Sequence, residues 1–160
     1  MKRVLIIAVC TILVSINALP SYAKGSPDKI VISAGPANSY ELTDKETLKS
    51  FDPWSGQFID WSRGTVAAPV DVSTSCKVFF YMKWDGRRSN YDRGDLKMVY
   101  TLMYVPGHDS ERGYVYLPGR GEEFFQNNIG TIIRDNDDGK WHQASAAWDR
   151  VMTRLLSPRK

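Results

Sequence analysis

Apolar and polar residues alternate along several short segments of the chain, as they do in strands that bury one face of a sheet. Ile30 and Ile32 share one face of the first such segment. From Cys76 onwards every second residue is apolar, and the residues between are mixed. The other strand candidates are 96–105, which is apolar on both faces as in a central strand, 113–117, 124–134 and 140–143. Because Asp138 and Gly139 predict a hairpin turn before the last of these, we expect an antiparallel sheet.

A period near 3.6 replaces the alternation at the end of the chain, where four apolar residues follow the i, i+3, i+4, i+7 spacing of one helix face. These residues are Trp148, Val151, Met152 and Leu155. Ser145 is the predicted N-cap of this helix. A short N-terminal helix is predicted from the capping box of Thr43 and Glu46 to Phe51. Residues 24–160 are therefore predicted to form a single α+β domain: a mainly antiparallel sheet of five to six strands, with the short helix and a C-terminal amphipathic helix packed on it.

The first residues have the composition of a secretory signal peptide. Lys2 and Arg3 precede the apolar run 4–19, and a small residue, Ala23, stands at the predicted cleavage position. An uncleaved membrane anchor is the alternative, but it needs about 20 apolar residues, and this shorter run contains three polar ones. We expect residues 1–23 to be removed and no transmembrane segment to remain, which predicts a secreted protein or one held at the extracytoplasmic cell surface.

Cleavage changes the charge and the cysteine content. The 160 residues carry 21 Lys and Arg against 18 Asp and Glu, a net charge of +3 that is too small and too dispersed for a nucleic-acid footprint or a polybasic membrane patch. Loss of Lys2 and Arg3, with no acidic residue, lowers the net charge to +1. Cys10 is lost as well, so Cys76 is the only remaining thiol and no intramolecular disulfide is expected.

Aromatic residues, glycine and charged residues are concentrated in two blocks, 52–64 and 112–121. Flat rings beside hydrogen-bonding groups are typical of ligand sites. The candidate ligand-binding residues are Trp54, Asp60, Trp61, Arg63, Tyr116 and Arg120. The alternative for the first block is that both tryptophans pack under the sheet and that its Asp and Arg pair with each other. In the second block Pro118 and Gly119 suit the centre of a type II turn, whose amides could face an anion.

With these two blocks and the final helix, the chain resembles a family of small exported proteins of Gram-positive bacteria. The resemblance implies export and a single domain. It implies no activity, ligand or catalytic residue.

Catalytic and metal-binding patterns are weak in this sequence. Cys76 with His108 and His142 has the residue types of a cysteine hydrolase, but Cys76 begins a strand on an apolar face, which indicates an inert buried thiol. Two histidines and one cysteine show no zinc-site spacing. The acidic run 135–139 fails the EF-hand pattern and is explained by a turn. We therefore expect no metal and no cofactor.

Two functions remain open. The preferred prediction is a non-catalytic extracytoplasmic binding or interaction module for an envelope component, such as cell-wall glycan, or for an envelope protein. The alternative is a hydrolase of cell-envelope polymers that uses Asp60 or His142 as acid or base. A concave pocket that joins a His or Cys to a carboxylate would favour the hydrolase.

Overall fold

One antiparallel sheet with helices around it makes up the fold, which confirms the predicted α+β class. The computed structural model describes residues 25–83, 95–108, 111–129, 132, 134 and 136–157. The predicted signal peptide, residues 1–23, lies outside the described residues. In the described part of the chain, no helix is long and apolar enough to cross a bilayer.

Seven strands form the sheet within the described residues, in the order β2-β1-β4-β5-β6-β7-β3. Their bounds are β1 Lys29–Ser33, β2 Ser39–Leu42, β3 Thr65–Val66, β4 Cys76–Lys83, β5 Leu96–Val105, β6 Tyr114–Tyr116 and β7 Trp141–Gln143. All pairings are antiparallel. The predicted number of five to six strands is too low because β2 and β3, with four and two residues, are too short to show alternation. Strand β5 occupies the centre of the sheet, as its two apolar faces predict.

Three α-helices accompany the sheet in the described residues: α1 Lys45–Ser50, α2 Phe125–Ile129 and α3 Ala146–Leu156; a 3-10 helix spans Trp61–Arg63. Helix α1 confirms the predicted short helix, which ends at Phe51, but its N-cap is Asp44 rather than Thr43. The Asp44 carboxylate accepts a hydrogen bond from the Thr47 amide at 2.9 Å, which holds the pKa of Asp44 below its usual value. The predicted N-cap is one residue too early. Thr and Asp are both favourable N-cap residues, so the sequence does not distinguish Thr43 from Asp44.

The C-terminal helix covers one face of the sheet, which we call the inner face. The Ser145 hydroxyl caps α3 by accepting from the Trp148 amide at 3.1 Å, as predicted. Asp149 ties the helix to the sheet, because its Oδ1 accepts from the Tyr104 hydroxyl at 2.6 Å and from the Gly113 amide at 2.7 Å. The core beneath the helix consists mainly of alternate strand residues and aromatic rings, including Ile30, Ile32, Phe58, Val78, Phe80, Tyr100, Leu102, Val115, Trp148 and Met152.

Residues 124–129, the described first part of the predicted strand 124–134, do not form a strand, contrary to the prediction. Phe124 has a φ of 67°, which interrupts an extended chain, and α2 begins at the next residue. The turn at Gly139, with a φ of 78°, precedes β7 as predicted, but it does not form a hairpin. Strand β7 pairs with β6 and β3 instead of with the chain immediately before the turn.

Asn128 on α2 completes the central strand where β6 ends. Its Oδ1 accepts from the Thr101 amide at 2.8 Å, and its Nδ2 donates to the Thr101 carbonyl at 2.8 Å. Asn128 and Thr101 are both buried, so these two bonds satisfy backbone groups that water cannot reach. The side-chain amide thus takes the place of one residue of a neighbouring strand.

Buried thiol and phenol groups, among them Cys76, Tyr100 and Tyr104, make the fold sensitive to alkaline pH, because burial raises the pKa of each. Burial raises the pKa of the Cys76 thiol from 9.0 to about 12 and that of the Tyr100 phenol from 10.0 to about 12. Above pH 9 the unfolded chain loses these protons before the folded chain does. Stability is therefore fully present below about pH 9 and should fall by up to about 1.4 kcal/mol per pH unit per group as the pH rises toward 12.

Urea unfolding of the parent and of Cys76→Ala between pH 8 and 11 measures this effect. In the variant the decline should begin near pH 10, where the tyrosine titrates, instead of near pH 9. A parent protein whose stability is constant up to pH 11 would contradict the expectation.

Candidate functional site

The sheet face opposite α3, the outer face, carries half-buried aromatic residues. Residues directly opposite each other on antiparallel strands point to the same face. The register aligns Met103 with Tyr116 and Tyr116 with Trp141, and it aligns Tyr114 with Gln143. We call these five residues the outer-face strip. Tyr116 is the one residue of the strip among the sequence candidates.

Tyr116 and Trp141 form the centre of the strip. Their ring centroids are 5.0 Å apart with an interplanar angle of 40°. The Tyr116 hydroxyl donates to Glu122 Oε1 at 2.8 Å. Partial burial and this hydrogen bond raise the pKa of Tyr116 to about 12, so the phenol remains a donor at neutral pH.

The loop after β6 turns two residues later than predicted. The Glu122 amide donates to the Gly119 carbonyl at 3.0 Å, and Gly121 has the positive φ, 89°, that position i+2 of a type II turn requires. Gly119 is needed for a different reason: a Cβ there would lie 2.7 Å from the Gly139 Cα. The Gly119 amide faces Glu122 Oε2 at 2.7 Å, so the anion beside this loop is the chain's own carboxylate. Arg120 is exposed at the tip of the turn.

Asp60 joins the two sequence blocks. Its Oδ2 lies 2.8 Å from Arg112 Nη1, and its Oδ1 accepts from the Ser62 hydroxyl at 2.6 Å. These two partners hold the pKa of Asp60 below its usual value, so the group is a carboxylate at neutral pH. The alternative that Asp60 pairs with Arg63 is therefore wrong. The sequence did not single out Arg112, because its proximity depends on strand pairing.

A polar cleft of about 320 Å³ adjoins this ion pair. Its lining, which we call the arginine cleft, consists of Arg63, Glu111, Arg112, Tyr114 and Gln143. Arg63 is exposed and has no ion pair with any described residue. Tyr114 and Gln143 belong to the outer-face strip as well. Tyr114 is two residues from Tyr116 on β6, and Gln143 is two residues from Trp141 on β7, so each lies about 7 Å along its strand from the central pair. The strip and the arginine cleft thus form one continuous surface.

Trp61 lies outside this surface. Its Nε1 donates to the Gly56 carbonyl at 3.0 Å, and its ring lies 4.9 Å from the Arg134 guanidinium and 5.3 Å from the His142 ring. The side chain is 36% exposed, so it covers a buried polar cluster and does not pack under the sheet. Phe58 fills the core from this block instead.

Trp54 is half-buried and contacts Gly25, the first residue that the structure describes. Its Nε1 donates to the Gly25 carbonyl at 3.2 Å. The preceding turn is fixed by Asp52, whose Oδ1 accepts from the amides of Trp54 and Ser55, both at 2.9 Å. The six sequence candidates therefore occupy different places. Tyr116 belongs to the strip, Arg63 lines the arginine cleft, and Asp60 pairs with Arg112 of that cleft. Trp54, Trp61 and Arg120 lie elsewhere.

Of the candidate catalytic groups, Cys76 and His142 are buried, Asp60 is half-buried and His108 is exposed. Cys76 is 1% exposed, which confirms the predicted buried thiol, and its high pKa makes it a poor nucleophile at neutral pH. His142 is fully buried, with its ring nitrogens 3.3 Å and 3.4 Å from the carbonyl oxygens of Gly64 and Asp137. Neither side chain has a hydrogen bond to a carboxylate of the residues described. In the same residues, no group of three His, Cys, Asp or Glu is placed to hold a metal ion.

Comparisons with protein-family models, with curated protein sequences and with solved structures gave no match. The site is therefore interpreted from its own geometry.

Proposed function

We propose that this chain is an exported, non-catalytic binding module that holds a glycan of the bacterial cell envelope. The outer-face strip would receive the sugar rings, and the arginine cleft would bind their polar groups. The observation that carries the proposal is the continuity of the strip with the cleft on a sheet face that α3 leaves uncovered. Export rests on the signal peptide predicted for residues 1–23 and on the family resemblance.

The chemistry of the surface favours a sugar over a strongly charged ligand. Sugars present apolar C–H faces, which aromatic rings bind, and hydroxyl edges, which need both donors and acceptors. Among the residues that line the cleft, Arg63 supplies donors and Glu111 supplies an acceptor. Because Asp60 neutralises Arg112 and Glu111 offsets Arg63, the cleft has nearly balanced charge. A neutral or zwitterionic glycan fits this balance better than a polyanion does.

The hydrolase alternative gains no support from the site. Asp60 is an ionised carboxylate at neutral pH, so it has no proton to donate as a general acid. Its two oxygens are bound to Arg112 and Ser62, and its lowered pKa makes it a weak general base. His142 is fully buried under Trp61 and out of reach of a polymer substrate. Binding without catalysis is therefore the function that we propose.

Two substitutions test the proposal directly. Trp141→Ala removes half of the central aromatic pair, and Arg63→Ala removes an exposed donor that has no structural partner in the described residues. We expect each variant to bind insoluble cell walls of a Gram-positive bacterium about tenfold more weakly than the parent, which is about 1.4 kcal/mol. Co-sedimentation of protein residues 24–160 with purified walls measures the affinity.

Arg150→Ala is the matched control, because Arg150 is exposed on α3, the helix that covers the inner face. It should bind as the parent does, and circular dichroism should show that all three variants are folded. The proposal fails if the parent does not bind walls, or if folded Trp141→Ala and Arg63→Ala bind unchanged. If protease treatment of the walls abolishes binding, the ligand is an envelope protein and not a glycan. If the parent releases soluble wall fragments, the hydrolase alternative is supported instead.

A further inference from the structure

A second cleft, rich in lysine, lies at the Leu96 end of strand β5. It encloses about 580 Å³ between the start of β1, the helix α1 and the ends of β4 and β5. Its lining, which we call the lysine cleft, includes Lys29, Lys45, Lys49 and Lys83 together with Pro27, Asp28, Leu48 and Leu96. The arginine cleft adjoins Tyr114, which pairs with the other end of β5 at Val105. Ten residues of strand, about 30 Å, separate the two ends.

Within the described residues, few acidic groups compensate the positive charge of the lysine cleft. Lys29 forms an ion pair with Glu41 at 3.0 Å. The ammonium groups of Lys45, Lys49 and Lys83 have no ion pair with any residue that the structure describes. Among the described lining residues the one acidic group is Asp28, which already accepts a hydrogen bond from the Lys83 backbone amide at 2.7 Å. In the described lining, three lysines without an ion pair thus stand beside one carboxylate that already has a partner.

Two of the lysines stand on the short helix α1. Lys45 and Lys49 stand four residues apart, so both lie on the same side of the helix and repel each other. Leu48 on the same helix is buried in the core, whereas Lys45 and Lys49 are exposed and line the cleft. Leu96, on the opposite wall, is 42% exposed and gives the cleft an apolar surface beside its cations.

We infer that the lysine cleft binds a phosphate-bearing anion. Lysine ammonium groups bind phosphate as separate point charges, and several of them can share the oxygens of one phosphate group. The apolar wall at Leu96 suits the carbon portion of a phosphate ester. The phosphate can belong to a soluble polymer or to a lipid headgroup. This site goes beyond the proposed glycan function and shares no residue with it.

The test uses protein residues 24–160 with two probes: short-chain inorganic polyphosphate, by calorimetry, and phosphatidylcholine vesicles with or without phosphatidylglycerol, by co-sedimentation. Lys45→Gln/Lys49→Gln should weaken binding at least about tenfold. The matched control is Lys140→Gln/Arg150→Gln, which removes the same charge from exposed positions outside the cleft. The control should bind within about twofold of the parent, and added salt should weaken binding of both.

Binding of polyphosphate identifies a soluble source, and binding of phosphatidylglycerol vesicles alone identifies a headgroup. Either result supports the inference if Lys45→Gln/Lys49→Gln loses binding to that probe and Lys140→Gln/Arg150→Gln retains it. The inference is overturned if the parent binds neither probe, or if both double variants are weakened equally, because net charge alone would then explain the effect. Since Trp141→Ala and Arg63→Ala leave the lysine cleft intact, failure of the glycan proposal would leave this result unchanged.

Discussion

Replacement of Trp148 by Ala is expected to lower the free energy of unfolding by about 3–5 kcal/mol, the usual cost of truncating a large buried aromatic residue. Trp148 is fully buried at the start of α3. Its ring centroid lies 4.9 Å from that of Phe51 and 6.5 Å from that of Phe58, with edge-on geometry in both pairs. Its loss would leave a cavity where α3, the segment before β3 and the end of α1 meet the sheet.

Urea unfolding of the parent, Trp148→Ala and Trp148→Phe measures this effect. The indole Nε1 has no hydrogen-bond partner among the residues described, so Trp148→Phe sacrifices volume but no hydrogen bond. It should cost about 1–2 kcal/mol, clearly less than the alanine variant, with the m-value unchanged. A loss below about 1 kcal/mol for Trp148→Ala would mean that α3 does not pack on the sheet as described.

Asn128→Ala is expected to cost about 2–4 kcal/mol, although it removes little apolar surface. The Asn128 amide is the partner of both the amide and the carbonyl of Thr101. Without it, a buried donor and a buried acceptor in the central strand lose their hydrogen bonds, and each such group costs about 1–3 kcal/mol. Thermal or urea unfolding measures the change.

Asn127→Ala is the matched control, because Asn127 precedes it on the same helix and is exposed. Its substitution should change the free energy of unfolding by no more than about 0.5 kcal/mol. Equal losses for the two variants would show that helix propensity, and not the bonds to Thr101, is responsible. Because sequence reasoning assigned this region to a strand, the pair of variants also tests the helix itself.

The candidate site shows how far residue types alone can guide a prediction. Asp60 and Arg63 belong to one block, and the expected alternative paired them with each other. Arg112, 52 residues after Asp60, is the actual partner, because the β6–β7 pairing brings the two blocks together. Trp141 was also missed, since its place beside Tyr116 depends on register. The alternation of residues in the predicted strand 140–143 is the sequence signal that could have placed Trp141 and Gln143 on the same face.

The basic site, like the Asp60–Arg112 pair, depends on residues that are far apart in the sequence. A net charge of +3 over the whole chain gave no reason to expect a basic site. The lysine cleft nevertheless collects Lys29, Lys45, Lys49 and Lys83 from three separate elements. A total charge reports nothing about which distant residues the fold places side by side.

The sequence by itself determined the long periodic elements: β1, β4, β5 and α3, with the Ser145 cap and the buried Cys76. In these segments the repeat of apolar residues matches the geometry of the element, so burial and local structure favour the same conformation. Only the tertiary structure decided the rest: the two-residue strand β3, the helix α2 in place of a strand, the Asp60–Arg112 pair, the outer-face strip and the lysine cleft. These features depend on contacts between residues far apart in the chain, and a local pattern contains no information about such contacts.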